Sequence, residues 1–261
     1  MKCLEQYRSR LHTNVNRDLR VIVQTADEEA IHRFRVGVKR LTALYRMLGM
    51  AKPELRWKSR LRPARSMSRA ISRVRDVHIA LELIAKIPGI AADERKSMER
   101  ALRLRIRRDF RAFQRLALDD NKIPLRLPTI RSLGLSGNII LRHKSEVLAQ
   151  YLGRIINRPI RLNTMQWHDK RILLKRYHHT LDAFGQCPGQ GRIETDLKQI
   201  TMLEKILGDW HDRVICVETL QDLELEKIPA GTIAGLNREA HILLGAARIY
   251  LGEFSRRQAL T

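Results

Sequence analysis

The sequence predicts an all-α protein, and three observations carry that prediction. Apolar residues recur at helical spacing along almost the whole chain. No run of alternating β-branched residues bounded by turn signals interrupts them. The chain also repeats itself at an offset of 136 residues: His32, Arg35, Lys39 and Arg40 return as His168, Arg171, Lys175 and Arg176, and Gly49, Asp76 and Glu82 return as Gly185, Asp212 and Glu218. Apolar partners stay in register, Val36 with Ile172, Val38 with Leu174 and Leu48 with Phe184, so the duplicated object is a set of cations together with the helix that carries them.

In the first half the spacing predicts helices at roughly 1–24, 27–50, 54–86 and 91–117. Thr25 followed by Glu28 reads as a capping box, Pro53 suits the first turn of the third helix, and Pro88-Gly89 ends it. Residues 118–136, with Pro124, Pro128 and Gly134, read as a linker. Beyond it, helices near 137–157, 164–185, 192–222 and 232–258 repeat the scheme, separated by Pro159, Pro188-Gly189 and Pro229-Gly231. The expectation is one domain over 1–261 built from two four-helix repeats, 1–117 and 137–261.

The second helix serves fold and function together. At about 100° per residue, Ile31, Phe34, Val38, Leu41, Tyr45 and Leu48 form one apolar stripe. His32, Arg35, Lys39 and Arg46 form an adjacent cationic one, which costs stability unless an anion or carboxylate neutralises it. The third helix adds Arg62, Arg65, Arg69 and Arg73, followed by Asp76. Pro63 kinks or starts that helix. In the second copy Lys198 and Lys205 match Arg62 and Arg69, while Asp182, Thr201 and Asp209 replace Arg46, Arg65 and Arg73, so the second site is depleted. Retention of the same cations in both copies argues for anion binding. His32 and His168 are read as anion contacts, as structural histidines held by Asp76 and Asp212, or as both. The stretch 91–117 carries cations on all faces.

With 50 Lys and Arg against 28 Asp and Glu, the net charge is +22, which points to a polyanionic partner. Residues 1–136 hold 32 basic and 14 acidic residues, against 18 and 14 in the remainder, so the first half should dominate attraction. Cys3, Cys187 and Cys216 are too few and too scattered for a disulfide framework or a zinc site, and a reducing cytosol fits them. The N-terminus lacks a continuous apolar signal region, and no stretch is long enough to span a bilayer, which leads us to expect a cytoplasmic protein. No Walker-type loop, Gly-x-Ser-x-Gly elbow or His-Glu-x-x-His is present, and the lone carboxylates Asp76 and Asp212 read as orienting partners for cations rather than as catalytic acids. Glu224-Leu225-Glu226-Lys227 looks like a fragment of a tunnel-type triphosphatase signature, a coincidence at a helix end. The reading is therefore non-enzymatic, with no catalytic residue, metal or cofactor.

With the doubled His-x-x-Arg pattern, Arg75-Asp76 and Leu207-Gly208-Asp209-Trp210-His211-Asp212 in view, the chain resembles the CHAD family, the conserved histidine α-helical domains. The resemblance covers nearly the whole length. It implies two four-helix bundles related by a pseudo-twofold axis, basic helices facing a central pore or cleft, binding of inorganic polyphosphate, and recruitment to polyphosphate granules. The chain departs from the family pattern at Thr42 and His178, where another Arg is usual, and at His78 and Val214, where an Asp is usual. The triphosphatase domain fused to some members is absent, so no catalytic role is implied. The alternative is a general nucleic-acid-binding protein that contacts DNA or RNA phosphates. Aromatic residues make up only 5% of the chain and few are interleaved with the basic stripes, so base stacking has little support.

Overall fold

The computed structural model describes residues 2–119, 125, 127–135, 137–156, 162–185, 193–223 and 228–259. The described residues are helical throughout their regular structure, and the chain is all-α. In order the helices are α1 (Lys2–Thr25), α2 (Glu28–Ala51), α3 (Trp57–Arg60), α4 (Arg62–Ala70), α5 (Ser72–Ile84), α6 (Ala92–Asp119), α7 (Gly137–Ile156), α8 (Thr164–Gly185), α9 (Ile193–Gln221) and α10 (Ala230–Ala259). Short 3-10 turns occupy Pro53–Leu55 and Arg131–Leu133.

Two local expectations are corrected. Helix α2 is capped by Asp27, whose Oδ1 accepts from the Ala30 backbone N–H at 2.7 Å. Thr25 instead donates its hydroxyl back to the Val21 carbonyl at 2.9 Å and belongs to α1. The single helix expected over 54–86 is broken into α3, α4 and α5. Pro63 cannot supply an N–H to the preceding turn, and its ring excludes a carbonyl there, so α3 stops at Arg60 and α4 opens at Arg62. Position 199, the repeat equivalent of Pro63, is Gln199, and α9 runs through unbroken.

The chain forms two compact units, Met1–Ser68 with Ala117–Met202, and Arg69–Leu116 with Leu203–Thr261. The division does not follow the repeats. The first unit holds the hairpin α1–α2 of one repeat and its copy α7–α8; the second holds α5–α6 and the copy formed by most of α9 with α10. The expectation of one bundle per repeat is corrected accordingly, because a lone helical hairpin cannot bury its own apolar face and is completed here by its duplicate.

In the first unit α2 packs against α1, α7 and α8. Its predicted apolar stripe is the buried one: Ile31, Phe34, Leu41, Tyr45 and Leu48 are all fully buried, and so are Trp167, Leu174 and Phe184. The predicted linker is tied to this unit where it is described. Asn16 brackets Leu125, accepting from its N–H at 2.7 Å and donating to its carbonyl at 3.3 Å. Glu5 accepts from the Ile130 N–H at 2.6 Å, and Lys52 donates to the Leu133 carbonyl at 2.6 Å. Each bond satisfies a backbone group that a buried connection would otherwise leave orphaned. The core of the second unit joins Val77, Ala80 and Ile84 of α5 to Met98 and Leu102 of α6, Cys216 and Leu220 of α9 and Leu236 of α10.

Cys216 is a buried free thiol, whose pKa burial pushes up to about 12. Cys3 is disulfide-bonded, which runs against the reading of reduced thiols. Among the described residues no helix is long and apolar enough to cross a membrane.

A basic seam between α2 and α8

Helices α2 and α8 carry the two copies of the cationic pattern, and they pack against each other within the first unit. Arg35, Arg40, Arg46, Arg171, Lys175 and Arg176 are half-buried, while His32 and Lys39 are exposed and His168 is half-buried. The Nε atoms of the repeat-related Arg35 and Arg171 are both shut away from solvent, as is that of Arg40.

The register is antiparallel: Arg40 meets Asp182, and Arg46 comes within electrostatic reach of Arg176. These are the same pair of positions seen from either repeat, since Arg40 corresponds to Arg176 and Arg46 to Asp182. One is closed by a carboxylate. Arg40 Nε lies 3.2 Å from Asp182 Oδ2, and the Tyr7 hydroxyl donates to the same oxygen at 3.1 Å. Burial and the Asp182 charge raise the Tyr7 pKa, which keeps it a donor.

The other pair opposes two cations. Burial and the neighbouring Arg46 both disfavour the charge on Arg176 and Arg154 of α7 adds to the repulsion, which Tyr151 and Asp169 offset only in part. Arg46 donates to the Tyr151 hydroxyl at 3.5 Å and stacks on Trp57, its guanidinium carbon 5.5 Å from the ring centroid. Arg65 approaches the same ring at 6.0 Å. Trp57 therefore gathers Arg46 and Arg65 from separate helices. A Cβ at Gly49 would collide with Trp57 Cδ1 and come within 2.9 Å of Nε1, so only glycine lets the indole lie against α2. At Gly185, the repeat equivalent, a Cβ would meet nothing within 4 Å among the described residues.

Between these pairs sits His179. It is largely buried, and its Nδ1 has no hydrogen-bond partner among the described residues. Burial, then His178, Arg40, Lys39 and Lys175, push its pKa down to about 3. Its ring is neutral at physiological pH because burial, and after it the surrounding positive groups, disfavour another charge.

Of the expected site residues, Arg62 and Arg65 belong to the first unit with the seam, Arg62 exposed and Arg65 half-buried. Arg69, Arg73 and Lys205, all exposed, belong to the second unit, as do the half-buried Asp76 and Asp212. The Lys198 side chain and Glu224–Lys227 lie outside the described residues. Sequence reasoning missed Trp57, Tyr151, Arg154 and His179. The signal for Arg46 with Arg176 was present in the repeat, because Arg46 is the position of the α2 cationic stripe at which the copies differ in sign.

The fold and the seam define a strongly basic, internally duplicated all-α protein that concentrates cations from both copies along two facing helices. It belongs to the CHAD domain family, whose sequence profile matches residues 3–221. The crystal structure of the CHAD domain from the plant Ricinus communis is similar at a TM-score of 0.69 and 18% identity, covering 96% of this chain and 91% of that one. PptA from Streptomyces chartreusis is similar at a TM-score of 0.62 and 14% identity, covering 97% of each chain. At these identities the likeness concerns the fold. A comparison with curated proteins finds no match.

Proposed function

We propose that the protein binds inorganic polyphosphate without catalysing its turnover, and that the α2–α8 seam is where the chain docks. The observation that carries this reading is the pairing of Arg46 with Arg176, half-buried and beside Arg154, where Arg46 stands at the position Asp182 takes on the other side and Asp169 offsets only part of the repulsion. Like charges held together in partly buried surroundings are stabilised by a bound anion. A linear polyphosphate offers dense charge without bases, and arginine forks satisfy it through bidentate, charge-assisted hydrogen bonds. Association with polyphosphate granules in the cytoplasm would follow from the same affinity.

The test is calorimetric titration of the full-length protein with long-chain polyphosphate at near-physiological salt. Replacing Arg46, Arg154 and Arg176 by Gln should weaken binding on the order of 100-fold while the helical circular dichroism is retained. Unchanged affinity in that variant would remove the seam as the site. Release of orthophosphate by the wild-type protein in the presence of a divalent cation would overturn the non-enzymatic reading.

A further inference from the structure

Helix α6 carries a second cationic surface that the seam does not use. The sequence places cations on all its faces, but the structure sorts them. Arg95 turns inward and donates to the Ile84 and Ile87 carbonyls at the end of α5, the latter at 2.9 Å, and Arg105 pairs with Asp109 at 3.4 Å and Asp222 at 3.3 Å. Lys96, Arg100, Arg103, Arg107, Arg111 and Arg115 are all exposed, and among the described residues no ion pair or hydrogen bond ties down any of their side chains. They follow one another at spacings of four, three, four, four and four, so each is a helical neighbour of the next. At 1.5 Å per residue the row runs about 28 Å, and at 100° per residue it spreads over an arc of about 120°. The core residues Met98, Leu102 and Phe113 lie on the opposite side.

Such a row loses stability through its like-charge neighbours, and Glu99 is the one carboxylate set among them at helical spacing, beside Lys96 and Arg103. The geometry points to double-helical DNA as the polyanion that offsets the rest, and we propose that the outward face of α6 is a docking surface for the DNA major groove. Four features favour that occupant. The surface is convex, and a helix of about 10–12 Å diameter matches a groove about 12 Å wide. The cations lie on both shoulders, with Arg103 and Arg115 at the two edges of the arc, where the groove presents a row of phosphates on either side. Five of the six are Arg, which takes phosphate bidentately. No aromatic side chain lies in the arc to stack on unpaired bases. An anionic membrane fits less well, since the crest carries Arg100 and Arg111 and the large apolar side chains exposed on the arc are two leucines set well apart, Leu104 and Leu118. A-form RNA has a major groove too narrow for a helix.

The proposal is independent of the seam. The experiment measures binding of the full-length protein to a fluorescent mixed-sequence DNA duplex of about two helical turns, by anisotropy across a salt series. The variant is Arg103→Gln, Arg107→Gln and Arg111→Gln together, which leaves the exposed helix face free to fold. It should lose at least about 30-fold in DNA affinity at near-physiological salt and flatten the logarithmic salt slope by about 3, while its polyphosphate affinity stays within about threefold. Equal DNA affinity in variant and wild type would overturn the proposal. So would equal binding of double-stranded RNA, or loss of DNA binding in the Arg46, Arg154 and Arg176 variant instead.

Discussion

Asp182 occupies the repeat position of Arg46 and holds Arg40, from the other copy, at 3.2 Å. The duplication therefore produced one neutralised and one cationic version of the same crossing. If Asp182 acts as a built-in counter-anion, Asp182→Asn should release Arg40 and give a second crossing open to phosphate. Calorimetry should show polyphosphate affinity rising by about threefold to tenfold. Without ligand the variant should lose about 0.5–1 kcal/mol, because the pair is partly exposed and the Tyr7 hydroxyl can still donate to the amide oxygen. An unaltered affinity would mean that Asp182 closes no site.

His179 gives the stability a defined pH dependence. Its pKa in the folded protein is about 3, against an ordinary value of 6.5 that the unfolded chain regains. Between those values the unfolded state holds a proton that the folded state refuses. The contribution is fully present above about pH 6.5 and declines as pH falls toward 3, by about 1.4 kcal/mol per pH unit for one such group. Chemical denaturation of His179→Asn at several pH values should show a shallower loss over that window. Polyphosphate should moderate the loss in the wild type by neutralising Lys39, Arg40 and Lys175, which favours protonation.

Trp57 offers a direct view of the seam. Trp167 and Trp210 are 1% and 2% exposed, so quenching by acrylamide reads Trp57 selectively. Polyphosphate should protect it from the quencher. Trp57→Leu should weaken binding several-fold, at about 0.5–1 kcal/mol for each arginine released from the ring, whereas Trp57→Phe, which keeps a π-face, should recover much of it. Gly49→Ala should displace the indole and cost about 1–3 kcal/mol of stability, since its new methyl overlaps the ring. Gly185→Ala, at the equivalent position, should cost little, because a Cβ there would meet nothing within 4 Å among the described residues.

Much of this was legible in the sequence, and the parts that were not have physical reasons. Periodicity located α1, α2, α6, α7 and α8 to within about two residues, because each carries an apolar stripe long enough to outweigh local exceptions. It read Pro63 as a kink or a start, which the break between α3 and α4 bears out, but the apolar spacing continues past Ile71 and gave no sign of the second break, between α4 and α5. The repeat named Arg35, Lys39, Arg40 and their copies, yet it suggested that each copy folds on itself. Sequence offset records descent, whereas packing follows whichever apolar face is available, and α2 finds α8. Trp57 lay beyond reach because its role depends on Gly49 and on a left-handed Arg56, with φ 46°, that turns the chain back toward α2. His179 carries no repeat signal, since its counterpart is Ala43.

Lys170 is wholly buried, and its ammonium donates to the Ile155 carbonyl in the last turn of α7. That carbonyl is one of the four at a helix C-terminus without an intrahelical partner, and a cation there also meets the negative end of the helix dipole. The lysine thus fastens α8 to the end of α7, far from any need for solubility. Lys170→Met keeps most of the volume but orphans the carbonyl, and should cost about 1–3 kcal/mol in denaturant unfolding. Lys170→Ala adds a cavity and should cost more. Polyphosphate affinity should stay near wild type in the Met variant under conditions where it is fully folded, because the ammonium is spent inside the protein. A large loss of affinity there would place Lys170 among the groups that hold the seam in register.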